Sequence, residues 1–253
     1  MKDQQYFNFL KGKKAIIIGP AQYLTTESFS GFGEKIDKEF DVVIRLNRGL
    51  EVIEKYKPYI GSKTVIFYNC LIEHEDNGGV IDIDNLKANN IQWVCTIPNS
   101  DINGNCSNNQ LHPMVSLHTV RTLAQNFNYR VMDYRLYGEL NKGVNCRANT
   151  GFAAIFDTLH HGVESLFITG FSFYLDAFAP GYKKGCDRDE DEFAKQCFAS
   201  KRHNQVNQWE YSRKHLKNNP KVILDDVLTK ILNLKTLNRE DFNEETQNLY
   251  SNV

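Results

Sequence analysis

The stretch that decides the fold is Lys14-Ala-Ile-Ile-Ile-Gly19-Pro20-Ala21-Gln22-Tyr23-Leu24, with Asp41-Val-Val-Ile-Arg45-Leu46-Asn47 downstream of it. Each is a continuous aliphatic run of strand length. The first closes on small residues, the second on an arginine and an amide. Runs that are apolar on both faces mark strands buried in a parallel sheet, where helices cover both sides. In open sheets of that kind ligands bind beyond the carboxyl ends of the strands, which is where Gly19-Pro20-Ala21 and Asn47 fall. The pair points to a site for a phosphorylated, base-bearing ligand, with Arg45 and Asn47 delivered to one edge.

Outward from this pair, strand-like runs recur at Thr64–Tyr68, Ile91–Thr96, Tyr129–Met132, Ser165–Thr169 and Lys221–Leu224. Helical patterns fall between them at Gly49–Lys57, Asp84–Asn90, Met114–Phe127, Thr150–His161, Val206–Asn218 and Asp226–Leu234. The alternation predicts an α/β fold, a mostly parallel sheet flanked by helices in the Rossmann-like manner. A chain of 253 residues can bury one sizeable core, so one domain is expected over residues 1–234, with a polar, solvated tail over 235–253. Two segments break the rhythm. Pro98–Pro113, rich in Asn, Gly and Ser, reads as a surface loop. Phe171–Arg202, with Pro180-Gly181, the basic Lys183-Lys184 and the acidic run Asp187–Glu192, reads as a long loop or lid between two site elements.

Composition excludes several classes. A formal net charge of −1 argues against a general nucleic-acid surface, which needs a clustered basic excess. The opening residues are polar and no apolar run approaches the roughly 20 residues of a bilayer span, so a soluble, cytoplasmic protein without signal peptide or membrane anchor is expected. Cys70, Cys95, Cys106, Cys146, Cys186 and Cys197 form no Cys-x-x-Cys pair and read as free thiols of a reducing compartment. His74, His112 and His118 lack paired carboxylates, and His160-His161 sits where it compensates a helix C-terminus, so no metal is expected.

The motifs narrow the chemistry. Gly19-Pro20-Ala21 is not a dinucleotide fingerprint, and the acidic ribose ligand expected at the end of the second strand is replaced by Arg45 and Asn47, which disfavours a nicotinamide enzyme. Arg147-Ala148-Asn149-Thr150-Gly151 leads into an apolar helical run, so Asn149 or Thr150 can cap a helix whose N-terminal N–H groups face an anion. The next strand, Ser165–Thr169, ends in Gly170-Phe171-Ser172, again at a sheet edge. His203 precedes the Val206–Asn218 helix, and an imidazole with an ordinary pKa of about 6.5 suits a general base for a sugar hydroxyl.

In this order the motifs resemble the sialyltransferases of glycosyltransferase family 29, particularly compact members of non-animal or viral type. The large motif of that family matches Ala15–Gln22, Asp41–Asn47 and Gly61–Thr64. The small motif matches Asn149-Thr150-Gly151 through Gly170-Phe171-Ser172, and the last motif matches His203-Asn-Gln-Val-Asn-Gln208-Trp209-Glu210. The similarity covers residues 13–225. It implies a variant GT-A fold and a metal-independent, inverting transfer of sialic acid from a CMP-sugar to a glycan or glycolipid hydroxyl. On that resemblance Gly19, Pro20, Ala21, Gln22 and Asn47 line the nucleotide, and Asn149, Thr150, Gly151, Gly170, Phe171 and Ser172 the ribose or phosphate, with His203 as the base. The chain also departs from the family pattern. No histidine stands in Tyr174–Lys184 where the family has one to help the phosphate leave, so either Tyr182 or Lys183 takes its place or the step is handled otherwise. Gln208 occupies the position of the usual Glu, with Glu210 two residues on. Rival readings are a transferase with another donor, such as CMP-Kdo, and a catalytically silent nucleotide-binding module.

Overall fold

The computed structural model describes residues 2–101, 103–183, 189–200 and 203–250. Lys184, Cys186, Asp187 and Arg202, which the sequence marks as parts of a basic pair, a thiol set, an acidic run and a loop end, lie outside the described residues.

Seven strands form one all-parallel sheet: β1 (Lys14–Ile18), β2 (Val42–Leu46), β3 (Ile66–Tyr68), β4 (Trp93–Thr96), β5 (Asn128–Val131), β6 (Ser165–Thr169) and β7 (Val222–Leu224). Every strand expected from the sequence is present, and the α/β class with a parallel sheet holds. The order across the sheet is β5-β4-β3-β2-β1-β6-β7. The chain thus builds outward from β1 to β5, then returns to the other side of β1, which makes the β1/β6 boundary the topological switch point where ligands of such sheets bind. Register is tight there: Ile18 pairs with Arg45 of β2 on one side and Thr169 of β6 on the other. β1 and β2 are buried along nearly their whole length, as continuous aliphatic runs require.

The expected helices appear as α3 (Ile53–Ile60), α4 (Ile83–Ala88), α5 (Leu117–Asn126), α7 (Thr150–His160), α9 (Gln205–His215) and α10 (Asp226–Asn233). Five more do not follow from the periodicity: α1 (Lys2–Leu10), α2 (Phe32–Glu39), α6 (Tyr134–Val144), α8 (Glu190–Ala199) and α11 (Arg239–Tyr250). Two correct the sequence reading. Helix α8 lies inside the presumed long loop; the acidic run opens it, with Asp189 accepting the Glu192 N–H at 2.7 Å and Glu190, Asp191 and Glu192 in the first turn, where the helix dipole favours negative charge. Helix α11 lies in the stretch read as a solvated tail. Leu237 and Phe242 are buried in the main core, because a few apolar residues suffice to dock a helix whose other faces are charged. No helix among the described residues is long and apolar enough to cross a membrane.

Behind the sheet, α1 is clamped by a buried charge. Arg130 of β5 forks onto Asp157 of α7 at 2.6 and 2.9 Å, reaches Asp3 of α1 at 2.6 Å and lies over the Tyr6 ring. Tyr68 donates its hydroxyl to the same Asp157 carboxylate. Burial alone pushes the Asp157 carboxyl up, but the Arg130 charge and hydrogen bonds outweigh it and hold the group below the ordinary carboxylate range. Asp157→Ala leaves the buried guanidinium with only the half-exposed Asp3 as counter-charge and should cost about 3–5 kcal/mol, read as a fall in the urea midpoint; a loss under about 1 kcal/mol would show that the pair does not hold the fold.

Candidate active site

At the switch point β1 and β6 run out into loops that touch back to back. A Cβ on Gly19 would meet the Gly170 carbonyl oxygen at 2.2 Å, and one on Gly170, whose φ is +76°, would meet the Gly19 oxygen at 2.6 Å. Glycine is required at both places. The loops are then sewn together: the Ala21 N–H donates to Gly170 O, the Gln22 N–H to Ala177 O, the Tyr23 N–H to Asp176 and the Ala179 N–H to Pro20 O. Beneath them Asp225 accepts from the Tyr23 hydroxyl and the Thr169 hydroxyl at 2.7 Å each, and Tyr23 in turn accepts the Gly170 N–H.

Above this seam a cavity of about 290 Å³ opens at the carboxyl edge of the sheet. Pro20, Ala21, Asn47, Asn149, Thr150, Gly151, Gly170, Phe171, Ser172, Tyr182 and His203 all line it, so residues far apart in sequence meet in one place. Gly19 and Gln22 are not among its walls. Gly19 is pressed against Gly170, and Gln22 is taken up by the 3₁₀ turn Gln22–Thr25 and its bond to Ala177. Arg45 is not there either. It is buried and donates to Thr64 Oγ1 and to the Ile60 and Gly61 carbonyls, a brace at the sheet edge rather than a ligand contact; burial pushes its guanidinium down to about 10. Gly61–Thr64 is likewise structural, its Ser62 and Lys63 N–H groups capped by Asp37.

One wall carries donors without acceptors. Asn149 caps α7 by accepting the Phe152 N–H at 2.8 Å, which leaves the first backbone N–H groups of the helix at the cavity. Two residues before the cap, Arg147 is buried and lines the cavity, and its Nε has no hydrogen-bond partner among the described residues. Gln208 accepts the Asn149 N–H through Oε1, while its Nε2, also buried, has none. Buried donors left unpaired cost of order 1–3 kcal/mol each, and these two stand beside the α7 N-terminus, where an anion could accept from them. Glu210, by contrast, is exposed and outside the cavity. Arg147 escaped the sequence reading, although a cation just ahead of an N-cap is itself a signal for an anion.

On the same wall His203 Nδ1 lies 2.7 Å from the Arg147 carbonyl. A carbonyl can only accept, so Nδ1 carries the proton and the neutral ring keeps its lone pair on Nε2. Opposite, Tyr182 stacks flat on Phe178 and donates its hydroxyl to Leu46 O at 3.2 Å. Lys183 is buried, its ammonium over the Phe193 ring and donating to Asp76 O at 2.9 Å; burial pushes it down to about 8. Backbone strain collects at this edge: Asn47, Leu71, Phe173 and Tyr174 all hold left-handed φ values between 43° and 60°.

Comparison with known proteins places the fold. The crystal structure of the monofunctional α-2,3-sialyltransferase Cst-I from Campylobacter jejuni matches over 85% of this chain and 77% of its own, at TM-score 0.50 and 15% identity. The chain has the fold of a sialyltransferase. Also similar are the apo form of an α-2,3-sialyltransferase from C. jejuni (TM-score 0.47, 15% identity, 85% and 76% of the two chains) and the C. jejuni CstII enzyme with the substrate analogue CMP-3FNeuAc (0.45, 16%, 80% and 77%). No family model and no curated protein matches the sequence. The expected Rossmann-like glycosyltransferase fold is therefore borne out, while the family number rests on the motifs.

Because the Gly19–Gly170 contact is backbone on backbone, Gly19→Ala should destabilise the protein by about 1–3 kcal/mol, measured by thermal and urea unfolding. A variant as stable as the parent would mean that the seam can open at no cost.

Proposed function

We propose that this chain is a glycosyltransferase that passes a sugar, sialic acid in the first instance, from a CMP-activated donor to a glycan hydroxyl. The observation that carries the reading is the convergence, at the switch point, of unpaired buried donors with a histidine whose Nε2 lone pair is fixed by its partner. The fold shared with Cst-I supports the same reaction class, and the cytidine of the donor follows from the motif resemblance. Thr150 and Gly151 hold ribose or phosphate at the α7 N-terminus; Pro20, Ala21 and Asn47 form the wall across from them.

In the transfer, His203 Nε2 takes the proton of the acceptor hydroxyl as its oxygen bonds to the anomeric carbon from the face opposite the departing phosphate, which gives inversion. The bond from that carbon to the phosphate oxygen breaks, and its electron pair leaves with CMP. Charge then gathers on the phosphate, where Arg147 and the helix N–H groups stabilise it; donors preorganised in this way are usually the largest catalytic term. Of the two lid candidates, Lys183 brings a positive charge, whereas the Tyr182 hydroxyl is already engaged with Leu46 O. The proposed chemistry needs no metal. Among the described residues Cys70, Cys95, Cys106 and Cys146 are free thiols.

His203→Ala should abolish transfer while leaving CMP affinity within about threefold, by isothermal titration against radiolabel transfer; an active variant would remove His203 from the base role. If the wild type binds CMP but neither hydrolyses nor transfers from CMP-sialic acid or CMP-Kdo, the silent-module reading stands instead.

A second test is pH. Lys183 is cationic below about pH 8 and neutral above it, so kcat/KM for the donor should fall as pH rises through about 8. Lys183→Met should lower the rate and erase that limb. An unchanged alkaline limb in the variant would assign the titration elsewhere.

A further inference from the structure

Two consecutive residues of the cavity wall stand in a backbone conformation that residues with a side chain avoid. Phe173 and Tyr174 hold φ values of +51° and +60°. In the left-handed region Cβ crowds the following carbonyl, so a non-glycine residue stays there only where its surroundings impose it. Both residues line the donor cavity, as do Phe171, Ser172, Asp176 and Ala177 around them. Whatever imposes this conformation also shapes the site.

The run is fastened at both ends. On its far side the Gln22 N–H donates to Ala177 O at 2.9 Å and the Tyr23 N–H to the Asp176 carboxylate at 2.7 Å. On its near side Gly170 is locked against Gly19, and the Leu175 N–H closes a turn onto Ser172 O at 3.0 Å. The middle is held from outside the site. Arg239, the first residue of α11, donates from Nη2 to Tyr174 O at 3.1 Å. Its Nη1 reaches Asp191 of α8 at 2.5 Å. A guanidinium is a planar fork, so fixing one tine on Asp191 aims the other at the carbonyl.

Arg239 itself is firmly mounted, although it is not among the cavity walls. Asn238 caps the start of α11 by accepting the Asp241 N–H at 2.8 Å. Leu237 and Phe242, on either side of the arginine, are buried in the main core. The helix therefore offers a rigid base from which the side chain can hold a strained loop in place.

We propose that Arg239 is a positioning residue of the donor site: mounted on α11, it holds the Tyr174 carbonyl and so keeps Phe173 and Tyr174 in the left-handed conformation in which the wall receives CMP. The proposal rests on the donor reading above. Arg239→Met keeps an apolar stem and removes both bonds, whereas Asp191→Asn removes the charge pair and leaves the bond to the carbonyl in place. CMP affinity would be measured by isothermal titration and amide hydrogen exchange across residues 171–178 in the free protein, with urea unfolding to establish that each variant is folded. Arg239→Met should raise the Kd for CMP about fivefold or more and speed exchange across that run about tenfold or more. Asp191→Asn should leave both within about twofold of the parent, as expected for a half-exposed pair. Arg239→Lys, whose single ammonium pairs with Asp191 and gives up the carbonyl, should follow Arg239→Met and serves in its place if that variant does not fold.

Unchanged exchange in both Arg239 variants overturns the positioning role, as do equal losses in Asp191→Asn. Faster exchange with the Kd for CMP within about twofold overturns it too, since the wall then moves at no consequence to the donor. A wild-type protein that binds no CMP overturns the donor reading first, and this role in donor binding with it.

Discussion

The structure depends on one close approach, the contact of the Gly19 and Gly170 backbones where β1 and β6 leave the sheet. With side chains at either position the two loops could not leave in contact, and the bonds from Ala21 to Gly170 and from Ala179 to Pro20 would not form. The seam sets the floor of the cavity and the height at which Pro20, Ala21, Phe171 and Ser172 stand around it. It is reinforced from below by Asp225, whose burial raises its pKa while Tyr23, Thr169 and the α10 N-terminus all bond to it. A carboxyl group so placed ties the start of α10 to the end of β6 and to the turn that follows β1. Cavity geometry is thereby coupled to the fold rather than left to a flexible loop.

On that floor the electrostatics are deliberately incomplete. The buried pair Arg130–Asp157 behind the sheet is satisfied from every side, and its role is structural. In the cavity wall Arg147 and Gln208 keep buried N–H groups without acceptors, and Lys183 keeps an ammonium whose charge burial disfavours. The backbone at the same cavity also holds left-handed φ values at Phe173 and Tyr174. Buried donors and left-handed backbone thus line one cavity from different residues, a combination that suits a preorganised polar site.

How much of this was legible in the sequence follows from what each element needs. The strands were plain because Ala15–Ile18 and Val42–Leu46 are buried on both faces and carry no polar interruption. Helix α7 was plain for the same reason. Helices α2 and α8 were not, because each fully buries only two residues and its few further apolar side chains, Phe32 in α2 and Phe198 in α8, are only partly buried among charged ones. Helix α6 buries Tyr137, Leu140, Asn141 and Val144 at helical spacing and was readable in principle; the buried asparagine obscured its stripe. Thr150, Gly151 and His203 could be placed at the site from their motifs. Arg45 and Gly19 could not be told from ligand contacts, since a strand-end arginine looks the same in sequence whether it faces a phosphate or, as here, the carbonyls of Ile60 and Gly61.

The C-terminal helix shows why composition misleads at chain ends. Arg239–Tyr250 is mostly polar, yet Phe242 and Thr246 are buried and Arg239 reaches Asp191 of α8 at 2.5 Å and Tyr174 O at 3.1 Å. One arginine thus bridges the helix that follows the lid and the strained residue that lines the cavity. The contact with Tyr174 O matters more than the ion pair, because Asp191 is half exposed and a surface pair of this kind contributes little on its own. A carbonyl held from outside at a left-handed residue limits where residues 171–174 can settle, and those residues form the wall facing the α7 N-terminus. The last helix is thereby tied, through a backbone carbonyl, to a residue that lines the cavity.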